Sequence, residues 1–231
     1  MALAEDIRGL RDRALAELAI AHDYYTETKM AWRIVHRVIQ AGNRFTVRNK
    51  ATKNVTTQTE LAEKSRGYVT GQLAEATFQQ FVSIFENYVF DLLRLWLIAH
   101  PHSLGAKELS FKTVLDAPDK EAVKLHVVNK ELNELTYERP KDWFKYLEGR
   151  VKLGCPTEEE IDRIGEAKAS RDILAHNRGI TNKIYLLKSG KFARYDEGQK
   201  LDIPEHYHRE TWELICKIIT DVFAAAAAKA I

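Results

Sequence analysis

The strongest constraint on the fold of this 231-residue chain is an apolar stripe between residues 74 and 96. Its members recur at every third or fourth position, and they are Ala74, Phe78, Phe81, Phe85, Tyr88, Leu92 and Trp96. An α-helix turns once in about 3.6 residues, so this spacing brings all of them to one face. A helix with so broad an apolar face needs other helices around it. The stripe therefore predicts the central helix of a bundle, ending before His100-Pro101.

The composition also favours an all-α protein with a core of its own. Prolines (5) and glycines (11) are few, and 45% of the residues are hydrophobic. A chain of this length supports one large or two small domains without disulfides or metal. The net charge is only +2, so any surface for nucleic acid has to be local.

The remaining composition bears on compartment and cofactors. Cys155 and Cys216 lie in no metal-binding spacing, which is typical of reduced thiols in the cytoplasm. No apolar run is long enough for a membrane span, and the N-terminus does not resemble a signal peptide. The pairs His100/His102 and His206/His208 lack an obvious third ligand, so we predict no metal. We therefore expect a cytoplasmic protein without membrane association, metal or cofactor.

The order of elements predicts an N-terminal arm and a helical domain. No glycine or proline interrupts residues 10–41, which indicates one long helix or a helix pair. Residues 42–57 are polar and basic and are predicted to form an exposed loop. We assign residues 1–60 to the arm and loop, and residues 61–231 to the domain. Within the domain, we predict a helix from Pro156 to about residue 175, a small β-hairpin over residues 183–195, and a last helix from about residue 205.

Residues 171–179 (RDILAHNRG) combine a permanent cation with an imidazole near a predicted helix end. Arg171 shares a helix face with three apolar residues, Ile164, Ala167 and Leu174. A buried guanidinium is costly unless it is paired, so a partner is implied. Glu86, in the central helix, is one candidate, although an exposed position on the polar flank explains it equally well.

Two further spacings bear on the same segment. Asp172 and His176 lie four residues apart on one face, so the carboxylate could orient the imidazole. Arg171 and His176 lie five residues apart, about 140° around an ideal helix. They converge on one ligand only if the helix ends between them or a second subunit supplies one of them.

Two interpretations of this segment remain open. Cleavage of an RNA phosphodiester needs a group that moves protons near neutral pH and a cation that holds a charged phosphorus centre. His176 and Arg171 fit those roles. Alternatively, Arg171 and Asp172 are helix-end charges, His176 complements the helix dipole, and Gly179 is the C-terminal cap. Asn177 fits either phosphate binding or capping.

The run from Arg171 to Asn182 resembles the Arg-x4–6-His signature of the HEPN superfamily. Upstream, residues 81–93 (FVSIFENYVFDLL) look like the aromatic-rich second core helix of bacterial HEPN proteins. Within the superfamily the chain is most similar to the RiboL-PSP type, which carries a Phe-Glu pair in that helix, here Phe85-Glu86. The resemblance covers roughly residues 73–225 and leaves residues 1–60 outside.

The resemblance implies a helical bundle that forms a homodimer with two motifs facing across a cleft. It also implies a metal-independent endoribonuclease of a toxin–antitoxin or phage-defence system, with Arg171 and His176 as catalytic residues and Asp172 at the polar position after the arginine. In many toxin members a tyrosine follows two residues after the histidine, where this chain has Arg178. That departure puts in doubt the subgroup whose antitoxin is a nucleotidyltransferase. The alternative is a HEPN-like dimer that binds RNA, nucleotide or a protein without cutting.

Residues outside the motif provide candidate RNA contacts. Arg44, Arg48 and Lys50 lie in the basic loop, and Arg178 follows the motif. Phe45, Tyr185 and Phe192 are candidate stacking faces for bases. A solvated surface is the ordinary explanation for each.

Overall fold

The computed structural model describes residues 2–230, and in that range the chain folds into nine α-helices and one two-stranded sheet. The helices are α1 (Ala2–Gln40), α2 (Gln58–Gly67), α3 (Ala74–Ala99), α4 (Phe111–Asp116), α5 (Lys120–Thr136), α6 (Pro140–Val151), α7 (Glu158–His176), α8 (Lys183–Ser189) and α9 (Glu205–Ala227). The strands are β1 (Thr46–Arg48) and β2 (Val55–Thr57). A π-helical segment, Tyr68–Leu73, joins α2 to α3, and short 3-10 turns span Pro101–Leu104 and Gly190–Phe192. The predicted all-α class is confirmed.

Helix α3 is the centre of the bundle, as its stripe predicts. All seven members of the stripe are buried, and α3 contacts α1, α5, α6, α7 and α9. Burying a large apolar side chain contributes about 1.5–3 kcal/mol, so this one face supplies much of the driving force for assembly. The helix ends at Ala99, directly before His100-Pro101.

The N-terminal segment forms one continuous helix rather than a pair. The first half of α1 packs on α3 and α9 through residues at helical spacing, namely Ile7, Leu10, Ala14, Leu18, Ala21 and Tyr25. Beyond Tyr25 no residue of α1 is buried, and Met30 and Ile34 are each 54% exposed. The first half of α1 thus belongs to the same core as α3 and α9. The division at residue 60 stays a prediction.

The β-hairpin predicted after residue 182 is wrong. Residues 183–195 form α8 and a 3-10 turn instead. Asn182 begins α8 because its side-chain oxygen accepts a hydrogen bond from the Tyr185 amide at 2.9 Å. The hairpin of this protein lies within the basic segment 42–57, where Thr46 of β1 pairs antiparallel with Thr57 of β2. Five-residue apolar runs have too little periodicity to separate a short helix from a strand.

The bundle carries no membrane-spanning element among its described helices. Over residues 2–230, no helix is both long enough and apolar enough to cross a bilayer.

Candidate functional site

Helix α7 contains Arg171–His176, the first part of the Arg171–Gly179 segment, and it is capped at both ends. Thr157 and Glu160 form a reciprocal capping box at its start. At its end, the amides of Asn177 and Gly179 both donate to the Ile173 carbonyl at 3.0 Å. Gly179 has φ +76°, a left-handed conformation that favours glycine. Asn177 is the C-cap residue of α7 and Gly179 lies just beyond the helix end, while the Asn177 side chain donates to the Ile180 carbonyl outside the helix.

A cleft of about 760 Å³ opens between α3, α7, α8 and the C-terminal end of α5. Arg171 and His176 both line it, although they lie five residues apart on the helix. His176 is the last residue of α7, so the predicted condition of a helix end near the pair is met. The cleft volume lies in the range of small-molecule sites, roughly 300–1,000 Å³. One chain therefore brings both side chains to a single cleft.

The guanidinium of Arg171 is held between two carboxylates. Its Nη2 forms an ion pair with Glu86, and its Nη1 lies 3.0 Å from Asp172 Oδ1. The side chains of Arg171 and Glu86 are 19% and 17% exposed, so the pair is largely withdrawn from water. The predicted Glu86–Arg171 pair is thus present. It offsets the cost of burying the cation and fixes the plane of the guanidinium.

Asp172 is the centre of a wider charge network. Its Oδ2 accepts hydrogen bonds from Lys168 Nζ and Lys188 Nζ, each at 3.3 Å. Lys168 also lies 3.3 Å from Glu86. Three cations and two carboxylates therefore share this wall of the cleft, which leaves an excess of one positive charge. We call these five residues, Glu86, Lys168, Arg171, Asp172 and Lys188, the charge cluster.

The contact predicted between Asp172 and His176 is not formed. Within residues 2–230 the imidazole accepts or donates no hydrogen bond to Asp172, because that carboxylate is occupied by Arg171 and the two lysines. His176 is exposed to solvent at the helix end.

The other predicted contact residues lie outside the cleft. Arg178 is exposed and has φ +53°, and its carbonyl accepts a hydrogen bond from Lys200 Nζ at 2.7 Å. Arg48 and Lys50 are exposed on the β1–β2 hairpin, and Arg44 is exposed two residues before it. None of the four lines the cleft. Of the predicted stacking residues, Tyr185 is buried and offers no free face.

Lys168 of the charge cluster was not predicted from the sequence, and Lys188 was not predicted to lie near Arg171. Lys168 lies three residues before Arg171 and four before Asp172, so helical spacing alone could have found it. Lys188 is sixteen residues beyond Asp172, on a segment predicted to be β-structure. No sequence signal connects it to the cleft.

A second polar centre lies behind the cleft, around the buried carboxylate of Glu166. Its Oε1 accepts hydrogen bonds from Ser170 at 2.7 Å, Tyr185 at 3.0 Å and Arg194 Nε at 3.1 Å, and its Oε2 accepts one from Tyr207. Burial, followed by the charge on Glu166, raises the pKa of Tyr207 well above its ordinary value. The carboxylate thus joins α7, α8, the segment after α8 and α9, and fixes the helix that carries Lys188.

His208, on α9, is a buried imidazole outside the cleft. Its Nε2 lies 2.8 Å from the Thr77 hydroxyl, which itself donates to the Leu73 carbonyl. Its Nδ1 has no hydrogen-bond partner among the described residues. Burial lowers the pKa of His208 to about 4, the nearby His22 and Lys29 act in the same direction, and Glu205 opposes them. This histidine is therefore neutral near pH 7 and has a structural role in the core.

In residues 2–230, no three His, Cys, Asp or Glu side chains are grouped so that they could hold a metal ion. No protein-family model, curated protein or solved structure matches the chain.

Proposed function

We propose that the cleft cleaves single-stranded RNA as a metal-independent endoribonuclease of the HEPN superfamily. The observation that carries the proposal is that Arg171 and His176 line one cleft together with three further cations, Arg94, Lys168 and Lys188. Phosphodiester cleavage needs positive charge at the phosphorus and a proton-transfer group within reach of it. We place the activity in a toxin or phage-defence effector of the cytoplasm.

Arg171 is proposed to stabilise the phosphorane. Glu86 and Asp172 hold its guanidinium plane in place before RNA binds, so little reorganisation is needed in the transition state. The excess positive charge of the charge cluster attracts the phosphate, and Lys188, which is 33% exposed, is the most accessible cation beside Asp172.

His176 is proposed to move the protons. As the base, it takes the proton of the 2′-hydroxyl while the 2′-oxygen forms a bond to phosphorus. The bond from phosphorus to the 5′-oxygen then breaks, and a protonated imidazole gives that oxygen a proton. The products are a 2′,3′-cyclic phosphate and a 5′-hydroxyl. Among the described residues that line the cleft, His176 carries the one imidazole, so a homodimer would supply the second.

Incubation of the purified protein with a labelled single-stranded RNA tests the proposal. We expect cleavage in EDTA, with a cyclic phosphate product, and no cleavage of a strand with a 2′-deoxyribose at the scissile position. His176→Ala should lower the rate by about 10²–10⁴-fold. His206→Ala is the matched control, because His206 is exposed and does not line the cleft. A His176→Ala protein that cuts at the parental rate, or strict dependence on metal, would refute the assignment.

The proposed dimer and its setting have their own tests. Light scattering on the eluted peak of a sizing column should give twice the chain mass of 26.5 kDa. Expression in bacteria should stall growth for the parental protein and not for His176→Ala. An antitoxin protein, if the setting is a toxin–antitoxin pair, should relieve that effect.

A second function is favoured by one observation. Both terminal nitrogens of Arg171 contact carboxylates, as they would in a purely structural ion pair. This arrangement suits a dimer module that binds RNA, nucleotide or a protein without cutting. RNA binding by the parental protein with an intact RNA product would favour this module over the ribonuclease.

A further inference from the structure

An exposed aromatic residue borders the cleft that also contains the charge cluster. Tyr137 follows the last residue of α5 and lines the cleft together with Arg171 and His176. Its side chain is 90% exposed, which is more than any other large apolar or aromatic residue in the described chain. The ring is thus largely uncovered by other residues.

Other aromatic residues near the cleft are already occupied. Tyr185 is buried, and its hydroxyl donates to Glu166. Phe90, on α3, packs edge-on against Trp143 with ring centroids 5.1 Å apart. A base entering the cleft therefore meets Tyr137 as the ring with a free face.

The charged and the aromatic residues that line the cleft match the two halves of a nucleotide. Cations Lys188 and Arg171 pair with the phosphate backbone through charge, and an aromatic ring stacks on a base whatever its identity. Proteins that bind single-stranded nucleic acid combine these two features, whereas a paired base has no face free for stacking. The exposed Ile184, 60% exposed on α8, adds an apolar edge to the same cleft.

We propose that Tyr137 stacks on an unpaired base of the RNA whose phosphate lies against the charge cluster. Tyr137 is thereby a substrate-binding residue that selects single-stranded RNA over duplex. This inference rests on the proposed function for the identity of the ligand, but it concerns binding alone. Its hydroxyl is not required, because stacking uses the ring face.

The test measures binding in a protein that does not cut. Fluorescence anisotropy of a 5′-labelled single-stranded RNA is recorded with His176→Ala, and then with His176→Ala combined with Tyr137→Ala or Tyr137→Phe. Removal of a stacking ring is expected to raise Kd by about 5–150-fold, and Tyr137→Phe should keep the affinity. Tyr24→Ala is the matched control, since Tyr24 is 58% exposed and does not line the cleft.

An abasic strand of the same length separates stacking from charge. We expect Tyr137→Ala to leave the affinity for the abasic strand and for duplex RNA unchanged. If addition of Tyr137→Ala to the His176→Ala protein leaves its affinity for the base-bearing strand unchanged, the inference is overturned. An equal loss on the abasic strand, or no RNA binding by His176→Ala, would overturn it as well.

Different results would contradict the ribonuclease activity and the Tyr137 stacking site. A parental protein that leaves RNA intact but binds it in a Tyr137-dependent manner contradicts the ribonuclease and keeps the stacking site. If the parental protein and Tyr137→Ala cut RNA at the same rate at RNA concentrations below Kd, the ribonuclease is supported and the stacking site is contradicted.

Discussion

Replacement of His208 by glutamine would measure how one buried imidazole couples the stability of this bundle to pH. The ring lies between α1, α3 and α9, with its centroid 4.1 Å from that of Tyr25 and 4.7 Å from that of Phe81. Its Nε2 is 2.8 Å from the Thr77 hydroxyl, and its Nδ1 has no partner among the described residues. Protonation in this site would place a charge in the core without a compensating carboxylate contact.

The magnitude follows from the two pKa values. Burial lowers the pKa of His208 to about 4 in the folded chain, whereas an unfolded histidine has a pKa of about 6.5. As the pH falls, the unfolded chain therefore takes up a proton before the folded chain does, and the free energy of unfolding decreases. The decrease attributable to this group is about 2 kcal/mol from about pH 7 to about pH 5, and about 3 kcal/mol by about pH 4. Its contribution is fully present above the unfolded pKa.

Urea unfolding followed by tryptophan fluorescence and by circular dichroism provides the measurement. The measurements are made above about pH 5 so that titration of Glu160 and Glu205 does not contribute. Their partners Lys217 and Lys29 hold the pKa of each carboxyl group below the ordinary value of 4.5. We expect His208→Gln to have a lower free energy of unfolding than the parental protein at about pH 7. That free energy should change little between about pH 7 and about pH 5. His206→Gln, an exposed neighbour on α9, should keep the parental slope. A His208→Gln protein with the parental pH dependence would refute the reasoning.

Two further predictions concern stability. Glu166→Ala leaves the Arg194 guanidinium without its buried carboxylate, and we expect a loss of about 3–5 kcal/mol in the free energy of unfolding by urea titration. Gly179→Ala forces a side chain into φ +76° and brings its Cβ to 2.7 Å from Lys200 Nζ, so we expect a loss of about 2–3 kcal/mol from strain and a displaced hydrogen bond.

Each of these substitutions has a matched control in the chain. Glu210 is 47% exposed, and its pair with Arg163 is 3.7 Å long, so Glu210→Ala should cost less than about 0.5 kcal/mol. Gly198 has φ +82° and open space where a Cβ would lie, so Gly198→Ala isolates the strain of the left-handed backbone. Equal losses for Gly179→Ala and Gly198→Ala would show that the Lys200 contact contributes nothing. A Glu166→Ala protein as stable as Glu210→Ala would contradict the role given to the buried carboxylate.

The parts of the fold that sequence predicts are those with long periodic patterns. The stripe on α3 spans six turns, so the spacing determines both the element and its buried face. Residues 183–195 lack such length, and contacts far along the chain decide their structure. Tyr185 is held by Glu166, nineteen residues earlier, and local propensity carries no information about that hydrogen bond.

The candidate site could also be predicted only in part from the sequence. The cost of a buried guanidinium made Glu86 a candidate partner of Arg171, but the contact between Arg171 and Asp172 was not predicted. The expected hydrogen bond between Asp172 and His176 failed because two lysines compete for the same carboxylate, one of them from α8. Tyr137 could not be predicted, because α5 gives no signal that its C-terminal end borders α7.

The Glu166 centre has a consequence for how the chain is made. Its carboxylate is synthesised 28 residues before Arg194 and 41 residues before Tyr207. At about 5–20 residues per second, the ribosome adds Arg194 roughly one to six seconds after it adds Glu166. During that interval α7 can form as a helix, but it cannot bury this face at low cost. The hydrogen bonds around Glu166 can therefore be completed only after Tyr207, on α9, has been synthesised.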